Sequence, residues 1–168
     1  MTSPSSVADL FHTLSYGVYS VGVSHGGRRN AFTAAWVMQV SFEPLLLALS
    51  VNPGNASYPM LRESGRFTVN VLHAGQLDLA RALGTRSARD GDKLDRIRWR
   101  AGPVDAPILQ DAVAWFSCEV LDNHRAGDHQ LVVARVRDGG VLQPDARPLG
   151  YAETGEMDGS AELYPETL

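Results

Sequence analysis

Tyr19-Ser20-Val21-Gly22-Val23-Ser24-His25-Gly26-Gly27-Arg28-Arg29-Asn30-Ala31-Phe32-Thr33-Ala34-Ala35-Trp36 decides the fold. Tyr19, Val21 and Val23 alternate with Ser20, Gly22 and Ser24, the period of a half-buried strand. Gly26-Gly27 suits a two-residue hairpin turn, because both central residues can take positive φ. Residues 29–37 then return as the partner strand. The same grammar recurs outward from this hairpin. Leu45 to Val51 is an apolar run of strand length, as in a strand buried on both faces. Phe67, Val69 and Val71 alternate with Thr68 and Asn70. Residues 112–123 and 129–138 form two long strands about the turn Arg125-Ala126-Gly127-Asp128. Val132, Ala134 and Val136 fall on one face of the second, Arg135 and Arg137 on the other.

Helices are few and short. Val7, Leu10, Phe11 and Leu14 have helical spacing over 7–14. A second helix spans 57–64 and ends at Gly65, and a third spans 76–83 and closes at Gly84. Residues 85–98 are charged and loop-like, with one helical turn near Lys93. Residues 101–110 read as an irregular connection. The acidic tail from Thr154 is expected to be mobile. About six or seven strands joined mostly by hairpins, without regularly alternating helices, argue for a mainly β closed antiparallel barrel and against a doubly wound parallel sheet.

The chain has 168 residues, of which 44% are hydrophobic and 20% charged. That suits one domain over 1–168, with a core from about 7 to 151 and the tail 154–168 outside it. The formal net charge of −4 offers no basic footprint for nucleic acid. Cys118 is the single cysteine, so it forms neither an internal disulfide nor a Cys-based metal site. It sits in an apolar run and reads as a small buried hydrophobe. Met1 to Ser6 lacks the charged and apolar regions of a signal peptide, and no apolar run reaches membrane-spanning length. The expected compartment is therefore the cytoplasm, with no membrane partner.

Several motifs fail. There is no G-x-G-x-x-G and no G-x-x-x-x-G-K, so any nucleotide-like cofactor is held by other means. Gly22-Val23-Ser24-His25-Gly26 matches the G-x-S-x-G of a nucleophile elbow, but that elbow needs a strand, a sharp turn and a helix. Here a hairpin follows, so Ser24 reads as a chance match. His124 and His129 with Asp122 and Asp128 could ligate a metal, but solvated turn residues are the simpler account, and no metal is expected.

Three stretches remain: Asn30-Ala31-Phe32-Thr33-Ala34-Ala35-Trp36 followed by Val40-Ser41-Phe42-Glu43-Pro44; Ser50-Val51-Asn52 followed by Ser57-Tyr58; and Gly127-Asp128-His129. A looser fourth is Arg89-Asp90-Gly91-Asp92-Lys93. Their order and spacing resemble the FMN-binding split-barrel family of flavin reductases, from about Tyr16 to Tyr151. The resemblance implies an antiparallel split β-barrel of Greek-key type. It also implies FMN (or FAD) as cofactor, NADH or NADPH as co-substrate, a homodimer, and a flavin-dependent monooxygenase as a partner for the reduced flavin.

The residue types fit that chemistry. An isoalloxazine is flat, apolar on its faces and polar along one edge, so small residues that let backbone N–H groups approach suit it. Thr33-Ala34-Ala35 is such a stretch, though a small-residue strand packed on a neighbour would read the same. Ser57 opens a helix whose N-terminus favours an anion such as the FMN phosphate; a plain N-cap is the alternative. Asn52 and Tyr58 add hydrogen bonds, and Lys93 and Arg89 supply charge. The resemblance places His129 at the nicotinamide side of the site. A turn histidine is the plain alternative.

Two residues depart from the family pattern. Ala35 stands where Ser is frequent, removing a hydroxyl contact. Ala134 stands where Gly is frequent, and its methyl is expected to narrow the nicotinamide pocket. A non-enzymatic FMN protein that relays electrons, flavoredoxin-like, is the second reading.

Overall fold

A computed structural model describes residues 6–85 and 92–168. The short helix α1 (Val7–Phe11) precedes strands β1 (Tyr19–His25), β2 (Arg28–Ala34), β3 (Val37–Ser41) and β4 (Leu46–Val51). Helix α2 (Tyr58–Ser64), strand β5 (Arg66–Val71) and helix α3 (Leu77–Thr85) follow. The short strands β6 (Trp99–Ala101) and β7 (Pro107–Leu109) come next, then the long pair β8 (Ala114–Ala126) and β9 (His129–Val141). Seven strands form one antiparallel sheet in the order β2-β1-β5-β8-β9-β4-β3. Three hairpins, β1–β2, β3–β4 and β8–β9, make up most of it, with β5 inserted between the first and third. The sheet is a split barrel: its two outer strands, β2 and β3, are consecutive in the chain but not hydrogen-bonded to each other.

Alternation along the strands sorts side chains to two cores. Val21, Val23, Phe32, Phe67, Val69 and Val132 fill the barrel interior, and Leu61 of α2 plugs it. Ala31 faces the other way, into a second core with Leu72, Leu109 and the Ala80 and Leu83 of α3. Thr33 shares that outer face and donates from Oγ1 to Ala80 O at 2.6 Å. Gly84 lies inside α3 rather than closing it. Cys118 is fully buried in the barrel core, and burial pushes its thiol up to about 12.

The stretch read as an irregular connection contains β6 and β7, a small antiparallel hairpin. Three residues are too few for periodicity to register. Side chains fasten this hairpin across β1 and β5. Thr68 Oγ1 donates to Pro107 O at 2.5 Å. Asn70 Nδ2 donates to Ser20 O and Pro107 O at 3.1 and 3.2 Å, and Asn70 Oδ1 accepts from Leu109 N at 2.9 Å. The strand expected over 29–37 breaks at Ala35-Trp36, and β3 beyond the break carries no expectation from the sequence, because that turn has no glycine or proline to mark it.

The tail is not loose. Tyr151–Thr154 and Ser160–Leu163 form 3₁₀ turns. The Tyr151 hydroxyl donates to Asp158 Oδ2 at 2.8 Å and lies 2.9 Å from Ser160 Oγ. Phe11 and His12 pack on Tyr164 at ring separations of 5.4 and 6.3 Å. Aromatic partners more than a hundred residues apart hold this segment, which no short-range pattern reveals. Among the described residues no helix is long and apolar enough to cross a membrane.

Candidate functional site

Where β2 runs out, the chain leaves the sheet through Ala35-Trp36 and opens a cavity of about 260 Å³. One wall is Phe32 to Trp36, a second is Ser50-Val51-Asn52 at the end of β4, and His129 at the start of β9 closes a third. Three stretches far apart in sequence thus meet, because β4 pairs with β9 (Val51 opposite Gln130) and β3 folds back from the end of β2. The His129 ring lies 4.9 Å from the Trp36 ring, and its Nδ1 pairs with Asp128 Oδ1 at 2.8 Å. That hydrogen bond, with the charge behind it, holds the Asp128 carboxyl below its ordinary range. His124 pairs separately with Asp122, and no group of three or more side chains able to hold a metal forms among the described residues.

A second cavity of about 270 Å³ shares the floor Thr33-Ala34-Ala35 and runs under α3 to Gly84 and Thr85. Tyr151 and Asp158 border both cavities. Burial opposes ionisation of Asp158, but donors from Ser160 N–H and the Tyr151 hydroxyl outweigh it and hold the carboxyl below its usual range. Ser160 and Leu163 complete the roof of the first cavity. These tail residues had no signal in the sequence beyond acidic composition.

The third space is a cleft of about 540 Å³ at the other end of β2. Asn30, Ala56 and Lys93 lie at the side toward the α2 loop, and Arg28, Arg29 and Trp99 line the rest. Lys93 Nζ donates to Leu83 O at 3.0 Å and Ala31 O at 3.4 Å. Asn30 Nδ2 donates to Ser57 Oγ at 2.7 Å, and both residues are buried.

The expected site residues therefore separate. Phe32, Thr33, Ala34, Ala35, Trp36, Ser50, Val51, Asn52 and His129 share one cavity, and Asn30 and Lys93 lie in the adjoining cleft. Ser57 is 1% exposed. Its N–H donates to Asn55 Oδ1 and that of Tyr58 to Asn55 O, so neither points to solvent. Tyr58 is buried in the barrel core, and its hydroxyl accepts from Asn123. Ala31 is buried beneath α3. Arg89 lies outside the described residues. Ala134 is a correction: its methyl is fully buried in the barrel core, opposite Leu47 and Val120. An inward-facing position on β9 cannot narrow a pocket at the strand's end.

The G-x-S-x-G match has a structural origin at each position. A Cβ at Gly22 would meet Pro107 O at 2.5 Å, Ser24 Oγ donates to Asp105 Oδ2 at 3.1 Å, and Gly26 turns with φ 58.

A protein of Rhizobium meliloti named probable flavin reductase is 32% identical over 90% of this chain and 48% of its own length. The ferric-chelate reductase (NAD(P)H) of Archaeoglobus fulgidus is 31% identical over 95% of this chain and 98% of its own. The chain thus spans about half the length of the first and nearly all of the second. The NADH:FAD oxidoreductase of Streptomyces globisporus superposes with a TM-score of 0.80 at 26% identity, covering 86% of each chain. The family model of the flavin reductase like domain matches residues 11–159, and with that match the chain belongs to the flavin reductase like family.

Proposed function

We propose that this chain, acting as a single domain, binds FMN and catalyses its reduction by NADH or NADPH. The observation that carries the reading is the convergence of Thr33-Ala34-Ala35, the end of β4 and His129 on one cavity that adjoins a basic cleft. The residues fit the group. Small side chains give a flat floor and backbone access, Phe32 and Trp36 give apolar walls, and Ser50 and Asn52 give polar edges. The Asn30–Ala56–Lys93 side of the cleft receives the phosphate.

Bound flavin supplies the acceptor for a hydride from the nicotinamide. The chain's own part is positioning. The stretches from Phe32 to Trp36 and from Ser50 to Asn52 would hold the flavin, and the roof from Tyr151 to Leu163 would shield it from water. His129, held by Asp128 on one side and Trp36 on the other, orients the nicotinamide carboxamide.

The exposed apolar strip supports a homodimer. Trp36, Met38, Val40 and Phe42 point outward along β3, Phe42 with 87% of its surface exposed. An apolar groove of about 390 Å³ beside it runs between Leu45 and Val141. A patch of this kind on a small protein marks an interaction surface. The reduced flavin is handed to a flavin-dependent monooxygenase, the partner that the family resemblance implies.

Absorption spectra with added FMN, before and after anaerobic NADH and then NADPH, test the reading. Bound flavin that bleaches quickly supports it. A specific observation favours the second reading, an electron relay: Tyr151 and Asp158 line both small cavities, where a nicotinamide would have to enter. Bound flavin that stays oxidised with either nucleotide selects the relay.

A further inference from the structure

The tail lies across both cavities on the Thr33-Ala34-Ala35 floor: Tyr151 and Asp158 line the two of them, Met157 the second, and Ser160 and Leu163 the first. At about 260 and 270 Å³ each is smaller than an ordinary small-molecule site, and joined they reach that size. We infer that residues 155–164 form a strap that swings away to admit the nicotinamide and closes again over the flavin, and that its opening sets the rate at which the flavin is reduced. The inference rests on the flavin reading and deepens it.

The root of the strap is fixed and the strap itself is not. Arg147 grips Glu153 through two bonds, and Tyr151 N donates to Tyr16 O at 2.8 Å. Beyond that point the polar ties to the barrel end. Among the described residues, every hydrogen bond made by 155–168 goes to a residue no earlier than Tyr151. Met157 reaches the core under α3 but is only half-buried. Leu163 roofs the first cavity and yet is 84% exposed, so little apolar area is lost when it lifts. Two glycines stand where the strap turns. Gly155 has φ 60 and ψ −135, and Gly159 has φ 65 and ψ 15, conformations that glycine takes without the clash of a Cβ. A Cβ at either would meet nothing within 4 Å, so both turn in open space with no packing to resist rotation. A segment held by so few buried contacts opens far more readily than the molecule unfolds.

The latch that holds the strap shut is aromatic. Tyr164 lies against Phe11 at 5.4 Å and His12 at 6.3 Å, rings that α1 and its C-cap present from the other end of the chain. α1 is itself stiffened by a reciprocal cap: Asp9 N donates to Ser6 Oγ at 3.0 Å, and Ser6 N donates to Asp9 Oδ2 at 2.9 Å. On the near side the Tyr151 hydroxyl holds Asp158 and Ser160. An aromatic pair is worth a factor of about three to ten in the opening equilibrium. That keeps the strap closed for most of the time and still lets it open within a turnover, as lids that limit turnover do.

Phe11→Ala and Tyr164→Ala release the latch from its two sides, and neither residue lines the two cavities. Phe11 is 40% exposed, so losing its ring leaves the fold intact. The first arm uses the chain without flavin. A glutamate-specific protease should cut after Glu156 about three- to tenfold faster in each variant than in the native chain, because cleavage tracks the open population. The urea midpoint should stay nearly the same. The second arm is anaerobic stopped-flow reduction of bound FMN by NADH and by NADH deuterated at the transferred position. In the native chain the plateau rate is the same with both, since opening precedes hydride transfer. In the variants the plateau rises about three- to tenfold and an isotope effect emerges. A native plateau already slowed by deuterium overturns the inference, as do variants cut and reduced at native rates. Bound flavin that both nucleotides leave oxidised overturns it too. Failure of every chain to bind FMN overturns the flavin reading itself, which the other results leave standing.

Discussion

Single residues in this protein are constrained by what passes over them. Gly22 lies mid-strand, where glycine ordinarily weakens a sheet, yet a Cβ there would press on Pro107 O. Gly22→Ala should cost about 1–3 kcal/mol through overpacking, read as a lower urea midpoint with an unchanged slope. Esterase activity lost on Ser24→Ala would instead revive the nucleophile reading, and Asp105, a carboxylate and not a histidine, as its side-chain partner among the described residues argues against it. His129 is the residue proposed to orient the nicotinamide. Replacing it with Ala should leave FMN titrations unchanged and lower kcat/KM for NAD(P)H about tenfold, the loss of roughly one charge-assisted contact. Reductase kinetics equal to the native chain would remove His129 from the site.

Whole elements are joined by a few polar side chains. Asn70 is fully buried and uses both ends of its amide to tie β5 to β1 and to the β6–β7 hairpin. Asn70→Ala leaves the buried Leu109 N without its partner, while Pro107 O keeps its bond from Thr68, and should cost about 1–3 kcal/mol, with hydrogen exchange fastest at Leu109. The tail is anchored similarly at its root. Arg147 meets Glu153 in a two-point ion pair at 2.8 and 2.7 Å, and Glu153 also accepts from Gly150 N. Those donors lower the Glu153 carboxyl from 4.5 to about 2. A carboxyl lowered on folding stabilises fully above its unfolded value, and the contribution is lost as pH falls from about 4.5 through about 2. The pair is exposed and solvent-screened, so the effect is small. Melting curves between those pH values should fall less steeply for Glu153→Gln than for the native chain; parallel curves would mean the pair adds nothing to the anchor.

For the whole molecule the decisive surface is the apolar strip on β3. Phe42 is exposed at the β3–β4 turn, so changing it does not disturb the core. Phe42→Asp should give a monomer by sedimentation at micromolar concentration, where the dimer proposal expects the native chain to be dimeric. A native chain that sediments as a monomer would end the dimer proposal. Trp36 belongs both to this strip and to the ring cavity, so the monomeric variant should also bind FMN more weakly.

The sequence by itself determined the barrel. Strand alternation from Tyr19 to Val23 and from Phe67 to Val71, the Gly26-Gly27 and Gly127 turns, and the small-residue stretch at Thr33 are all local, because a strand's period and a turn's positive φ are properties of neighbouring residues. Three of the walls of the cavity at the end of β2 are legible too, since each comes from one contiguous stretch. Only the tertiary structure decided the rest. The β6–β7 hairpin is held by Asn70 and Thr68, not by its own pattern. That the face shared by Val132, Ala134 and Val136 lines the barrel core and not a pocket is set by how the sheet curls. The tail becomes a roof through Phe11, His12 and Tyr151, partners joined by folding alone. The cleft, likewise, exists only where the end of β2, the loop before α2 and the strand at Trp99 come together: contacts between distant residues depend on how elements pack, and no window of sequence contains both sides of them.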